Sequence, residues 1–269
     1  MSVTCTFLLT SIYGMPAAAV FTLVHGTAGG WKLLAVIVSP LLYSVLFAVT
    51  AGVLSLPFHK AIVRGKFPRD VRHPVYRGRR LYGVCWTALF YFKPVYFLVL
   101  TLPWLKWMTF RLFGYKGQMD FTVYPDTWIR DLPLLDFGKG VYVANRATLG
   151  TNMPLKNGRI LVDGIRIGEG ALISHLTMLA AGVQIGKGSE IGPGCAVGVR
   201  VKVGNHTTVL GTSQLNHASK IGDNVYLGAN CYVGFGAEVP SGTKLGGYKS
   251  IPDRSSERRN GNQETLEED

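Results

Sequence analysis

Charge is scarce in this sequence. Asp, Glu, Lys and Arg make up 16% of its 269 residues, against about a quarter in ordinary soluble domains. With a mean hydropathy of +0.22, that scarcity argues against a wholly water-exposed chain and for a membrane part. Acid is the scarcer sign at first: residues 1–136 hold 14 basic and 5 acidic side chains, residues 137–250 hold 11 and 5, and residues 251–269 hold 3 and 6. Cysteine is scarce too. Cys5, Cys85, Cys195 and Cys231 show no CxxC spacing, which excludes a disulfide framework and suits a reduced cytosolic setting. The length allows one or two domains.

Long apolar runs are present, all at the start. Residues 4–24 and 33–57 carry no charge, and each exceeds the roughly 20 residues a helix needs to cross a bilayer core. The first lacks a basic leader segment and is followed at once by the second, so it reads as a span rather than a signal peptide. "HGTAGGWK" connects the two. Residues 59–80 then carry eight basic side chains (Lys60, Arg64, Lys66, Arg69, Arg72, Arg77, Arg79, Arg80) and one acid, Asp70. Directly beside a span, such a cluster marks the cytoplasmic side and meets anionic lipid headgroups; nucleic acid is not expected. Residues 81–113 are apolar and aromatic but broken by Lys93-Pro94 and by Pro103. Proline interrupts the helical ladder and a mid-bilayer lysine is costly, so two short amphipathic pieces at the interface are predicted.

The second half has neither helix nor strand periodicity. Every sixth residue from Ile167 to Leu245 is aliphatic, and the position four further on, from Ala171 to Thr243, is always small or β-branched. A fixed period of six predicts a parallel β-helix, each hexad forming one face of a triangular coil of 18 residues. Coils start at Ile167, Ile185, Val203 and Ile221. The recurrent glycine after the aliphatic residue supplies freedom for the corner. The aliphatic phase runs back through Leu161, Leu155, Leu149 and Val143 to Phe137, but Met153 and Arg159 take the small position. Residues 151–159 therefore read as a loop thrown out between coils, of the kind that carries binding surfaces. Cys195 and Cys231 fall two coils apart on one corner, about 9.6 Å at the usual strand spacing, too far for a disulfide. The chain then divides into membrane and interfacial helices (1–113), a connector (114–136), the β-helix (137–250) and a tail (251–269) expected to be disordered.

This repeat, with the closing "VPSGTKLGG", resembles the hexapeptide-repeat acyltransferases of the left-handed β-helix superfamily over about residues 137–250. Apolar segments, then "DLPLLDFGKGVYV", then the β-helix also resemble the terminal membrane module of poly-lysine synthetase-like proteins. The fold class implied is mainly β: a left-handed parallel β-helix preceded by an α-helical transmembrane and interfacial domain. The resemblance further implies a homotrimer with sites between subunits, an acyl thioester donor (acyl-CoA or acyl carrier protein) as co-substrate, and a histidine as general base.

Imidazole titrates near neutrality, which suits proton removal from an attacking hydroxyl or amine. His217, in "LNHASKIGDN", precedes Ile221-Gly222 by four residues, like the catalytic histidine of lipid A-type acyltransferases and sugar N-acetyltransferases of this fold. His175 shares its hexad position without a following Ile-Gly and stands second. One coil above His217 is Phe235, whose N–H could serve an oxyanion; above His175 is Pro193, which has none. Arg146, Lys156 and Arg159, near the predicted loop, are candidates for the phosphates of coenzyme A or an anionic lipid. Departing from the family, Ala218 stands where an acid usually follows the catalytic histidine. A zinc site of the γ-carbonic anhydrase kind would need three converging histidines. The gaps between His175, His206 and His217 are 31 and 11, and 11 is not a multiple of the coil, so no metal is expected. The predicted function is acyl transfer by a membrane-bound enzyme to a lipid, a lipid-linked glycan or another membrane-delivered acceptor, with the β-helix in the cytoplasm. The alternative is a non-catalytic trimeric membrane scaffold.

Overall fold

The computed structural model describes residues 1–254 and divides them into two compact units. One holds residues 1–63, 67–116 and 131–133; the other holds 64–66, 117–130 and the chain from 134 onward. Residues 255–269, most of the predicted tail, lie outside the described residues.

The first unit is helical. Its uncharged runs form α1 (Ser2–Gly26) and α2 (Gly29–Ser55), each long and apolar enough to cross a membrane. Much of their apolar surface faces outward: Val3 is 81%, Trp31 73% and Ile37 66% exposed. Water does not tolerate a patch of that extent, whereas lipid does. After a 3₁₀ turn at Leu56–Ala61 come α3 (Pro74–Tyr91), α4 (Lys93–Thr101) and α5 (Pro103–Leu112). The predicted breaks at Lys93 and Pro103 are both present, but they yield three helices, not two. Pro74, at the first position of α3, starts a helix inside the basic segment, because proline at that position forfeits no hydrogen bond. The α3–α4 axis then bends by 85°. Lys93 sits at the bend with its ammonium 3.7 Å from the Phe90 ring centroid, a cation–π contact that offsets its partial desolvation.

Aromatic rings hold this unit together. Buried Trp86 meets Tyr96, Phe110 and Phe113 edge-on, at centroid distances of 6.0, 6.2 and 5.1 Å, and the Tyr82 hydroxyl donates to Phe113 O at 2.9 Å. Arg79 corrects an expectation. It belongs to the basic segment, yet it is buried and forms an ion pair with fully buried Asp131 instead of meeting lipid. Helical period places it on the inner face of α3, three residues before Tyr82 and seven before Trp86.

The second unit is the predicted parallel β-helix. Strands of two or three residues stack into three sheets of six, seven and seven strands, here called the first face (Leu135–Phe137, then Ile165–Ile167 onward), the second face (Phe121–Val123 and Val141–Val143, then Leu172–Ile173 onward) and the third face (Trp128–Ile129 and Thr148–Leu149, then Met178–Leu179 onward). The register is 18: Ile167 pairs with Ile185, Ile173 with Ile191, and Leu179 with Val197. The aliphatic residue of each strand points inward, and its neighbour points out. Buried Thr177, Ser189 and Thr207 are more than small fillers. Their hydroxyls donate to the carbonyls of Gly192 (2.7 Å), Gly204 (2.6 Å) and Gly222 (2.7 Å) in the next coil, as buried polar groups require.

The solenoid begins one coil earlier than its repeat shows. Phe121–Val123 pairs with Val141–Val143, and Trp128–Ile129 with Thr148–Leu149, so most of the expected connector is structured coil. The offset in that coil is 20 rather than 18, because the 3₁₀ turn Leu132–Leu134 adds two residues at a corner. The aliphatic column thus shifts by two and drops out of phase. At residues 150–163 the offset is 30 rather than 18, as in Phe137 with Ile167. The twelve extra residues are two whole hexads, so the phase survives although the segment leaves the coil. It forms an antiparallel hairpin of Asn152–Pro154 and Arg159–Val162, and Leu155 lies in it rather than in the core.

The glycines also serve differently from the expectation. Left-handed backbone falls three residues after the aliphatic position, at Arg200, Thr212 and Ala218, for instance. The glycine directly after the aliphatic residue is needed for close approach between coils. A Cβ on Gly192 would lie 2.6 Å from Gly211 N. Gly192→Ala is therefore expected to destabilise the solenoid by about 1–3 kcal/mol. Thermal unfolding would show it; a melting temperature equal to that of the parent would contradict the close-approach role.

Candidate active site

Register places the three solenoid histidines on three different corners. His206 lies between the first and second faces, His175 between the second and third, and His217 between the third and first. All three are exposed. Among the described residues no three His, Cys, Asp or Glu side chains come together as a metal site.

His217 borders a groove of about 390 Å³ on the outside of the third face. Met178, Ala196, Gln214 and Tyr232 form its floor, being the outward residues of successive strands, and Asn152 and Met153 of the hairpin line it as well. The hairpin leaves the coil from the third-to-first corner, the same corner that carries His217 three coils later. The inserted loop and the preferred histidine therefore meet at one groove.

The imidazole is held. Val199 N–H donates to His217 Nδ1 at 2.8 Å. An amide nitrogen can only donate, so Nδ1 carries no proton, and the neutral ring bears its hydrogen on Nε2. In this setting Nε2 is a donor rather than a base. Asn216 supports the corner, accepting the His217 backbone N–H at 2.7 Å and donating to the Tyr232 hydroxyl at 3.0 Å. Phe235 does stand one coil above, but its N–H already donates to Asp253 Oδ1 at 2.6 Å; it offers no free oxyanion donor. The carboxylate at this corner thus comes from the next coil and faces Phe235 N, while Ala218 occupies a left-handed position (φ 59°).

His175 is not part of this groove. It lies on the other edge of the third face, one coil above Asn145, whose Oδ1 is buried and has no hydrogen-bond partner among the described residues. Arg146 shares that corner. Lys156 is exposed in the hairpin turn, and Arg159 donates from Nη2 to Lys66 O at 2.9 Å. The three basic candidates therefore do not converge: two belong to the hairpin and one to the opposite edge.

Arg200 is a residue that the sequence reading missed. It lies on the His217 corner one coil back, with Nε on Asp163 Oδ2 at 3.2 Å, beside a polar depression of about 340 Å³ on the first face that also includes Arg64, Arg166, Lys202 and Asp136. Reading outward positions at a period of 18 (Arg166, Gln184, Lys202) would have found this column. The Cys195 and Cys231 thiols are free and buried. Cys195 Sγ contacts Leu210 O and Cys231 Sγ contacts Gly246 O, both at 3.3 Å, and burial raises the Cys195 pKa.

Comparison with known proteins places the repeat. Residues 164–198 match the family described as bacterial transferase hexapeptide (six repeats). No curated protein matches the chain. Among solved structures, perosamine N-acetyltransferase from Caulobacter crescentus, in a mutant form with CoA and GDP-perosamine, is 16% identical over 56% of this chain and 57% of its own, with a TM-score of 0.33. The acetyltransferase domain of PglB from Neisseria gonorrhoeae, with acetyl coenzyme A, is 18% identical over 55% and 63%, with a TM-score of 0.22. A UDP-N-acetylglucosamine acyltransferase from Bacteroides fragilis is 18% identical over 52% and 56%, with a TM-score of 0.19. This chain spans less than two thirds of each.

Proposed function

We propose that the chain is a membrane-bound acyltransferase. It takes an acyl group from a thioester, acyl-CoA or acyl carrier protein, and passes it to a hydroxyl or amine of a lipid, a lipid-linked glycan or another acceptor delivered at the membrane. One observation carries this reading: an apolar-floored groove with an imidazole at its rim and a hairpin at its end. The transferase hexapeptide match over residues 164–198 agrees with it. The two membrane-length helices support an acceptor delivered at a lipid surface, since a soluble acceptor needs no such anchor.

In this reading the acyl chain lies on Met178, Ala196 and Tyr232, with the thioester carbonyl at the His217 corner. The acceptor oxygen or nitrogen attacks the carbonyl carbon and its proton passes to His217 Nε2. The tetrahedral intermediate then collapses, the C–S bond breaks, and the thiolate leaves and takes up a proton. For this, Nε2 must first be unprotonated. The ring therefore turns about Cβ–Cγ when substrates bind, freeing Nδ1 from Val199 N–H; Nδ1 then takes a proton from water and Nε2 gives its own to water, which leaves Nε2 as the base. Lys156, on the hairpin three residues beyond Met153, is the candidate for a donor phosphate, and the β-helix faces the cytoplasm, where the donor is made. Exposed Leu176, Met178, Phe235 and Tyr248 on the third face and its corners suit burial against a second copy in a homotrimer.

A second reading, a non-catalytic trimeric membrane scaffold, is favoured by one contact, the Val199 N–H that holds His217 in its donor tautomer. The two separate cleanly. In lipid vesicles, the enzyme reading expects labelled acyl groups to move from acetyl-CoA or long-chain acyl-CoA into lipid, and acyl-CoA to raise the melting temperature. A chain that transfers nothing and binds neither thioester would be the scaffold.

A further inference from the structure

We propose that the helical unit binds one anionic phospholipid in a cavity between the 3₁₀ turn Leu56–Ala61 and the first turns of α3. The cavity holds about 550 Å³, within the roughly 300–1,000 Å³ of small-molecule sites. Phe58, Ala61, Val75 and Leu81 give it apolar walls, and Lys60 and Arg77 bring two cations to it. The walls approach closely at one point: a Cβ on Gly78 would lie 2.5 Å from Ala61 Cβ. Glycine at 78 thus lets α3 pack against the turn, and the cavity opens beside that contact.

Among the described residues neither cation has a carboxylate. Lys60 and Arg77 are exposed and make no ion pair among the described residues. Nor does the helical unit hold one to spare, with Asp70 and Asp131 its only acids against eleven Lys and Arg. Asp131 is buried against Arg79, and Asp70 Oδ1 accepts the Arg72 N–H at 2.9 Å within its own loop. Among the described residues no carboxylate serves these two cations, so an anion from outside the chain fits them. A small soluble anion would satisfy the cations and leave the apolar walls wet. A phospholipid satisfies both, with phosphate on Lys60 and Arg77 and glycerol and upper acyl carbons on Phe58, Val75 and Leu81. The position fits as well, because the 3₁₀ turn continues directly from α2, so the cavity lies where a membrane-length helix ends and headgroups begin.

Native mass spectrometry of the full chain, released from nanodiscs of phosphatidylglycerol and phosphatidylcholine, tests this. One phosphatidylglycerol adduct is expected, without a phosphatidylcholine counterpart. Lys60→Ala with Arg77→Ala is expected to lower its retention about thirtyfold, taking each juxtamembrane cation at the usual contribution. Lys32→Ala, at the opposite end of α2, is expected to leave it unchanged. Val75→Trp, which fills the cavity without altering charge, is expected to expel the lipid, with the melting temperature in detergent confirming that each variant is folded. Equal retention of phosphatidylcholine would overturn the site. So would undiminished phosphatidylglycerol in the double variant, or displacement of the adduct by millimolar inorganic phosphate, which would make the cavity a simple anion site.

Discussion

His217→Ala is expected to lower acyl transfer by about 10²–10⁴-fold, the usual contribution of a positioned general base. The fold should survive. His217 is exposed at a corner, and its loss leaves Val199 N–H unpaired at a cost of about 1 kcal/mol. His175→Ala serves as the comparison, since His175 lies on the other edge of the third face and outside the groove; activity near that of the parent is expected. The reverse pattern, loss with His175→Ala and none with His217→Ala, would move the base to the corner of Asn145. Nitrogen-15 spectra add a readout that a structural role would not move. The Val199 contact predicts a hydrogen on Nε2 in the free protein and on Nδ1 once donor and acceptor analogues are bound. A ring that stays protonated on Nε2 in the complex would disqualify His217 as the base, whatever the rate of the alanine variant.

Arg79→Ala is expected to destabilise the helical unit by about 3–5 kcal/mol, because it takes a buried cation away from a buried carboxylate. Asp131 is fully buried and Arg79 almost so, so neither charge can be hydrated in place. Asp131 also adopts a left-handed backbone (φ 55°), which Asp and Asn accept at little cost. The double variant Arg79→Met with Asp131→Asn, which removes both charges, is therefore expected to recover most of the loss. Unfolding in detergent micelles measures both variants. If Arg79→Ala costs less than about 1 kcal/mol, the pair behaves as a surface one and the buried assignment is wrong.

What could be read from the sequence follows the physics of repetition. The β-helix was legible because one residue in six must fill a narrow prism, and only aliphatic side chains do so from Ile167 to Leu245. The same logic failed one coil earlier. There Leu132–Leu134 adds two residues at a corner, a shift that displaces the column without disturbing the pairing of Trp128 with Thr148. It failed in the opposite direction at Leu155, which keeps the phase because the hairpin inserts two whole hexads, yet lies outside the core. The two membrane-length helices were legible from the absence of charge. The burial of Arg79 was not, because its partner Asp131 is 52 residues away, and no local pattern connects them.

The site divides in the same way. By itself the sequence determined the period, the corner on which each histidine stands and the presence of an inserted segment, since all three depend only on counting along the chain. Only the tertiary structure decided that the hairpin and His217 share one groove, that Arg146 stands apart from Lys156 and Arg159, and that Phe235 N–H is taken by Asp253. It alone decided the proton on His217 as well. That proton depends on which backbone group points at Nδ1, and the group is Val199 N–H, 18 residues back and one coil below. Stacking sets such contacts between coils, and a distance across a coil leaves no trace in the local order of residues.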